Sequence, residues 1–232
     1  MSRSSTPQVL IFDADDTLWE NSVLFERVIE DFLDWLDHPT LERTRIREVL
    51  NDLERANVAV HGYGSKIFVR SLQDCFGALY KRPVSAAEKT RIIRLADALV
   101  EHAVDLFPGV TETLATLSER HELLLLTKGN FQEQQRKVEA SQLRNYFQHV
   151  HIVKEKDVET YRALMSRHGW AGDMTWMIGN SPKSDILPAR AAGLNAVFIP
   201  NTNTWVLEHA ELDENDANII TISTFPDLLK YF

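Results

Sequence analysis

Two rhythms divide the chain. From Asn21 to about Ala103, apolar residues recur at helical spacing, as in Leu24, Val28, Phe32 and Trp35 and again in Ile92, Leu95 and Leu99. This predicts successive helices with no strand between them. Ser85-Ala86-Ala87-Glu88 has the form of a capping box, while Pro39 and His61-Gly62-Tyr63-Gly64 interrupt the pattern. From Leu106 onward, short apolar runs alternate with amphipathic segments, which predicts strand–helix units and a parallel sheet. Strands are expected near residues 123–127, 149–153, 175–178, 195–199 and 218–220, with helices in most of the gaps and one closing the chain near 225–231. A further apolar run, Val9–Phe12, has no polar break and suits a strand covered on both faces. If that strand joins the later sheet, residues 19–105 form an insertion and Leu106-Phe107-Pro108-Gly109 is the return hinge. The expected division is therefore a core of residues 1–18 and 106–232 and a helical domain of residues 19–105.

Composition narrows the classes without choosing a function. The chain has 232 residues, 44% hydrophobic and 25% charged, which is ordinary globular usage and argues against disorder. Its net charge of -9 argues against a nucleic-acid surface, so attraction for an anionic substrate has to come from local groups or a metal. Cys75 is the single cysteine, which excludes an internal disulfide, and its place in the stripe Phe68, Leu72, Cys75, Phe76, Leu79 reads as core packing. No stretch is long and apolar enough to cross a bilayer and the amino end does not resemble a secretory leader, so a cytoplasmic location is expected.

The chemistry is concentrated where strands should end. Val9–Phe12 delivers Asp13 and Asp15 to the carboxyl end of a buried strand, the usual place for a ligand in a parallel sheet. Two acids one residue apart on an extended segment repel each other unless a cation intervenes, and a hard, oxygen-seeking ion such as Mg2+ is the natural remedy. A solvated acidic turn is the plain alternative. An EF-hand is excluded because its obligatory glycine would fall on Leu18, and no glycine-rich dinucleotide fingerprint follows the strand.

Three later segments follow strands in the same manner. Thr127-Lys128-Gly129-Asn130 combines a hydroxyl, a tight turn at Gly129 and a helix start capped by Asn130, which together can cradle a phosphate or simply turn the chain. Lys154 and Lys156 lie just past the next strand, ahead of an amphipathic segment at 157–168. Gly179-Asn180-Ser181-Pro182-Lys183-Ser184-Asp185 starts a helix well with Ser181 and Pro182, but helix initiation does not account for Asp185.

In order and spacing these four segments resemble motifs I to IV of the haloacid dehalogenase-like hydrolase superfamily. Asp13-x-Asp15-x-Thr17 resembles motif I and Thr127 motif II; Lys156, with Lys154 as the alternative, resembles motif III. The Gly179–Asp185 segment, with Ala192-Gly193 before the next strand, resembles motif IV. Asn180 departs from the pattern, standing where the first acid of motif IV is usual, which removes one negative charge from the ion's surroundings. The resemblance implies an α/β fold, a Rossmann-like core with a parallel sheet flanked by helices, and an all-helical C1-type cap inserted between the first two motifs. It further implies a Mg2+-dependent phosphatase acting on a small phosphorylated metabolite, with neither nucleic acid nor membrane as partner. Asp13 would be the nucleophile and Asp15 the general acid and base. Thr127, the backbone at Lys128 and Gly129, and Lys156 would hold the phosphoryl oxygens. The metal would be held by Asp13, the Asp15 carbonyl, and Asn180 or Asp185, while Thr17 would brace the turn by bonding to backbone.

The second acid favours phosphoryl transfer over haloacid dehalogenation, because a departing halide needs no proton. A phosphomutase would use the same groups, and a non-catalytic phosphate-binding regulatory protein would keep the pocket without turnover. A receiver domain is a poorer match, since the region of its phosphorylated aspartate ends here in Thr127. Tyr63 and Lys66 are candidate substrate contacts in the helical part, and Trp19 is expected to pack at the hinge.

Overall fold

A computed structural model describes residues 6–36, 38–97, 99 and 103–232. The leader reading bears on the amino end, whose first five residues lie outside the described residues, as do parts of the helical run at 98 and 100–102. The chain divides into two compact units, one of residues 1–20 and 104–232 and one of residues 21–103. Trp19, Glu20, Val104 and Asp105 thus stay with the first unit, where Trp19 bridges to Leu106 and the Glu20 N–H donates to the Asp105 carbonyl at 2.9 Å.

The first unit is built on six parallel strands in the order β3-β2-β1-β4-β5-β6. They are β1 (Val9–Phe12), β2 (Glu122–Lys128), β3 (His149–Val153), β4 (Thr175–Gly179), β5 (Asn195–Phe198) and β6 (Ile219–Thr221). Alternate side chains of the central strands enter two separate cores. Leu10, Phe12, Leu123 and Leu125 pack with Leu114, Leu117, Val138, Phe225 and Leu228, whereas Ile11, Leu124, Leu126 and Met177 pack with Tyr161, Leu164 and Ala189. The partners belong to α5 (Val110–Ser118), α6 (Phe131–Ala140) and the closing segment Phe225–Lys230 on one face, and to α7 (Val158–His168) and α8 (Leu187–Ala191) on the other. Burial on both faces is why the strands read as unbroken apolar runs, and each such leucine contributes about 1.5–3 kcal/mol relative to exposure.

Two elements differ in kind from expectation. The closing helix is a 3₁₀ segment, Phe225–Lys230, tightened where Pro226 lacks an N–H and capped reciprocally by Thr224 and Asp227. After Ser181 the chain first makes a π-turn, Pro182–Ile186, in which the Ile186 N–H reaches back to Ser181 O at 3.2 Å, and only then becomes α8. Pro188 cannot donate to the Ser184 carbonyl one α-turn earlier, and that carbonyl accepts the Tyr161 hydroxyl at 2.9 Å instead.

The second unit contains α1 (Ser22–Leu36), α2 (Arg43–His61), α3 (Ser65–Tyr80) and α4 (Ala86–Leu95). Its own core includes Val28, Phe32, Ile46, Leu50, Leu72, Phe76 and Ile92. The Ser85–Glu88 capping box forms. Cys75 is fully buried, and burial with the nearby Glu54 pushes its thiol up to about 12, so it packs and is not a reactive thiolate. Among the described residues no helix is long and apolar enough to cross a membrane.

Candidate active site

The site forms at the carboxyl ends of the four adjacent strands β3, β2, β1 and β4. The Asp13 N–H donates to the Ile178 carbonyl at 2.9 Å, so the ladder continues one step past β1 and fixes Asp13 beside β4. The chain then folds back at once. The N–H groups of Thr17 and Leu18 bond to the Ala14 carbonyl, and Asp16 adopts a left-handed φ of 62° that a short polar side chain tolerates.

Lys156 ties the centre together. Its ammonium lies 2.5 Å from Asp13 Oδ1 and 2.8 Å from Asp185 Oδ1, and all three residues are buried. The Thr17 hydroxyl lies 2.9 Å from Asp13 Oδ2 and 3.3 Å from Asn180 Oδ1, and the Ser181 N–H donates to Asp185 Oδ2 at 2.9 Å. The structure therefore gathers residues 13, 17, 156, 180 and 185 into one polar cluster. Lys154 is exposed and outside these contacts. Thr127 is buried at the end of β2, two residues past Leu125, which pairs with Phe12.

Asp15 has a separate set of partners. Its Oδ1 accepts from Trp19 Nε1 at 2.7 Å, its Oδ2 from Gln134 Nε2 at 2.8 Å, and Lys137 Nζ is 2.9 Å from both oxygens.

Electrostatics separate the two acids. Burial pushes the Asp13 carboxyl up to about 7; Lys156 opposes this, and Asp185 and Asp15 add to it. Burial would also raise Asp15, but Lys137 and the hydrogen bonds from Gln134, Lys137 and Trp19 outweigh it and hold that carboxyl below its ordinary value. For Lys156 burial favours the neutral amine, and the two aspartates reverse the balance and keep it an ammonium.

These charges bear on whether Mg2+ fits. Two buried carboxylates share one ammonium, which leaves an excess negative charge, and Asp13, Asn180 and Asp185 supply only oxygen donors of the kind Mg2+ prefers. Among the described residues no group of three His, Cys, Asp or Glu side chains could hold a metal, because an amide, Asn180, stands beside the two acids. The set suits a hard ion held by few protein ligands and completed by water or substrate oxygens.

Two expectations need correction in detail. Thr17 bonds to the side chains of Asp13 and Asn180 and not to backbone, since the turn's backbone donors are already satisfied by Ala14. The Gly129 N–H is taken by the Val153 carbonyl at 3.0 Å, so it is not a spare phosphoryl donor; at φ 142° Gly129 serves the turn. The Lys128 side chain faces Glu208 Oε1 at 2.6 Å and Ser184 Oγ at 2.7 Å.

Gln134, Lys137 and Glu208 were not found in the sequence. Gln134 and Lys137 did leave a signal, as polar residues on the stripe of α6 that also carries the buried Val138. Glu208 left none, because it comes from a short turn, Val206–Glu208, far along the chain.

The core is thus a parallel α/β sheet with paired carboxylates and a buried lysine at its strand ends. Residues 7–193 match the family model for a haloacid dehalogenase-like hydrolase, and the chain belongs to that family. A phosphoserine phosphatase of Thermus thermophilus is 24% identical over 83% of this chain and 88% of its own length. A haloacid dehalogenase-like family hydrolase from Xanthomonas campestris superimposes with a TM-score of 0.81 at 24% identity, covering 98% of this chain and 96% of the other. The L-2-haloacid dehalogenase of Xanthobacter autotrophicus with chloropropionic acid covalently bound gives 0.64 at 15% identity, covering 96% and 97%. At these identities the structural likenesses establish the fold and leave the substrate open.

Proposed function

We propose that this hydrolase cleaves a small phosphate monoester through an aspartyl-phosphate on Asp13. The observation that carries the reading is the presence of two strand-end acids with separate cations, Asp13 on Lys156 and Asp15 on Lys137. A leaving alkoxide needs a second acid beside the nucleophile to carry its proton, whereas a halide needs only the nucleophile. The phosphoserine phosphatase relative supports a phosphorylated substrate.

In the first step an Asp13 carboxylate oxygen forms a bond to phosphorus, the ester P–O bond breaks with its electron pair on the leaving oxygen, and that oxygen takes a proton through Asp15; Asp15 is a carboxylate in the free site, so the proton is the one the monoanionic ester brings. In the second step Asp15 removes a proton from water as the water oxygen attacks the same phosphorus. The Asp13–phosphorus bond then breaks with its electron pair returning to Asp13, and Asp15 passes its proton to the departing phosphate, so both residues are restored as carboxylates. Lys156, the Thr127 hydroxyl and the Lys128 backbone N–H would hold the phosphoryl oxygens. Asp13, the Asp15 carbonyl and Asn180 or Asp185 would hold Mg2+, which when bound supplies positive charge against the phosphoryl oxygens. We assign the helical insert of residues 21–103, including Tyr63 and Lys66, to substrate selection.

The test is release of free phosphate from a panel of small phosphate esters with Mg2+, by the wild type and by Asp13→Asn. Release by the wild type alone is expected. Isomerised sugar phosphate without release would indicate a mutase, halide release from 2-haloacids a dehalogenase, and phosphate binding without turnover a regulatory binding protein.

A further inference from the structure

We infer that Lys137, together with Gln134, is a positioning residue that fixes the carboxylate of Asp15 in place from helix α6. The inference rests on the proposed phosphatase reading for the role of Asp15, and on geometry for the role of Lys137. The two residues are one helical turn apart on the same face of α6 and reach the same acid. Lys137 Nζ sits 2.9 Å from each Asp15 oxygen, a symmetric approach that fixes the plane of the carboxylate as well as its distance. Gln134 completes the hold, its Nε2 donating to Asp15 Oδ2 at 2.8 Å and to the Lys128 carbonyl at 3.0 Å. Its orientation is costly: among the described residues the buried Gln134 Oε1 has no hydrogen-bond partner. A side chain that leaves a buried oxygen unsatisfied in order to aim its amide at an acid is better explained by placement of the acid than by packing. Gly129 is part of the arrangement, since a Cβ there would come within 3.0 Å of Gln134 Nε2. On the other side, Trp19 Nε1 shares Asp15 Oδ1 with Lys137, so the turn after β1 and the helix after β2 are joined through this one carboxylate.

In phosphoryl transfer to Asp13, the step that kcat/KM reports, Asp15 contributes in proportion to how much the leaving oxygen needs a proton. An alkoxide needs one and a nitrophenolate does not, so misplacing Asp15 separates these two classes of ester. Lys137→Ala, with Lys137→Met in reserve if the smaller side chain impairs folding, is compared with the wild type on an alkyl phosphate and on p-nitrophenyl phosphate. We expect kcat/KM on the alkyl ester to fall about 100-fold, the loss typical of a reacting group displaced by about 1 Å. On p-nitrophenyl phosphate we expect kcat/KM to fall about threefold or less, since general acid catalysis contributes little there. Lys137→Arg, which keeps a two-pronged donor, should restore most of the alkyl activity. Equal losses on both esters, or none, would overturn the inference. A second readout needs no turnover: the Trp19 indole N–H resonance, assigned with Trp19→Phe, should shift in Lys137→Ala, and an unmoved signal would also overturn it. If the wild type itself releases no phosphate from any ester, the phosphatase reading falls, and the Trp19 signal alone decides whether Lys137 positions Asp15.

Discussion

Gly179→Ala tests how tightly the centre of the site is built. Gly179 ends β4, and a Cβ added there would lie 2.2 Å from Asp185 Oδ2, 2.5 Å from its Cγ and 2.8 Å from its Cβ. Non-bonded contacts of this kind are comfortable only from about 3.5 Å, so the carboxylate has to move by more than about 1 Å. It has nowhere simple to go. Asp185 is 1% exposed, its Oδ2 accepts the Ser181 N–H at 2.9 Å and its Oδ1 the Lys156 ammonium at 2.8 Å. Overpacking of this kind typically costs about 1–3 kcal/mol, and moving a catalytic constellation by about 1 Å costs about 100-fold in rate. We therefore expect Gly179→Ala to fold with a lowered Tm and to release phosphate at about one-hundredth of the wild-type kcat. In an Asp185→Asn background the same substitution should cost much less than in the wild type, because both changes act on one carboxylate. Phosphate release is followed with saturating Mg2+ alongside thermal unfolding. Wild-type kcat and Mg2+ dependence in a folded Gly179→Ala protein would refute the reasoning.

Three further outcomes are expected. Lys156→Met leaves Asp13 and Asp185 buried without their shared ammonium, so it should destabilise the fold by about 3–5 kcal/mol in denaturant unfolding and abolish phosphate release. Mg2+ should raise the wild-type Tm, by the equivalent of about 2.7 kcal/mol at a hundredfold excess over Kd, and raise that of Asp13→Asn less; equal shifts would place the ion elsewhere. For Glu208, burial would raise the carboxyl, but Lys128 and the hydroxyls of Ser181 and Ser184 prevail and hold it below its ordinary value. An acid depressed in the folded state contributes stability above its unfolded pKa and loses it as pH falls through the folded pKa. Glu208→Gln should accordingly be about 1.5–3 kcal/mol less stable at neutral pH, and the gap should close on acidification below the ordinary carboxylate range; a gap independent of pH would contradict this.

The sequence was informative wherever one strand or one turn carried the signal. Val9–Phe12 and the leucines of β2 announced a doubly covered sheet because both of their faces are buried, and Asp185 stood out because helix initiation did not require it, whereas Lys156 was separated from Lys154 only by the resemblance to motif III. The partners of those residues were not legible. Thr17 was expected to serve the backbone, yet it bonds to Asn180, which only the pairing of β1 with β4 brings near. The contacts of Asp15 with Gln134 and Lys137 depend on the packing of α6, and Glu208 reaches Ser181 and Ser184 from a separate turn. The π-turn was hidden for a similar reason: Pro188 is visible in the sequence, but the Tyr161 hydroxyl that occupies the freed carbonyl comes from another helix.

The strand order also constrains how this protein is made. β1 leaves the ribosome first, but its two neighbours, β2 and β4, are translated only after the whole helical unit. Until then Val9–Phe12 is an apolar segment with both edges open, liable to pair with the wrong chain. Residues 21–103 can bury a core of their own in the meantime, so synthesis that stalls after them exposes β1 for longest. Yield in cells should accordingly respond to the rate of elongation through β2 to β4 more than to conditions in the finished enzyme.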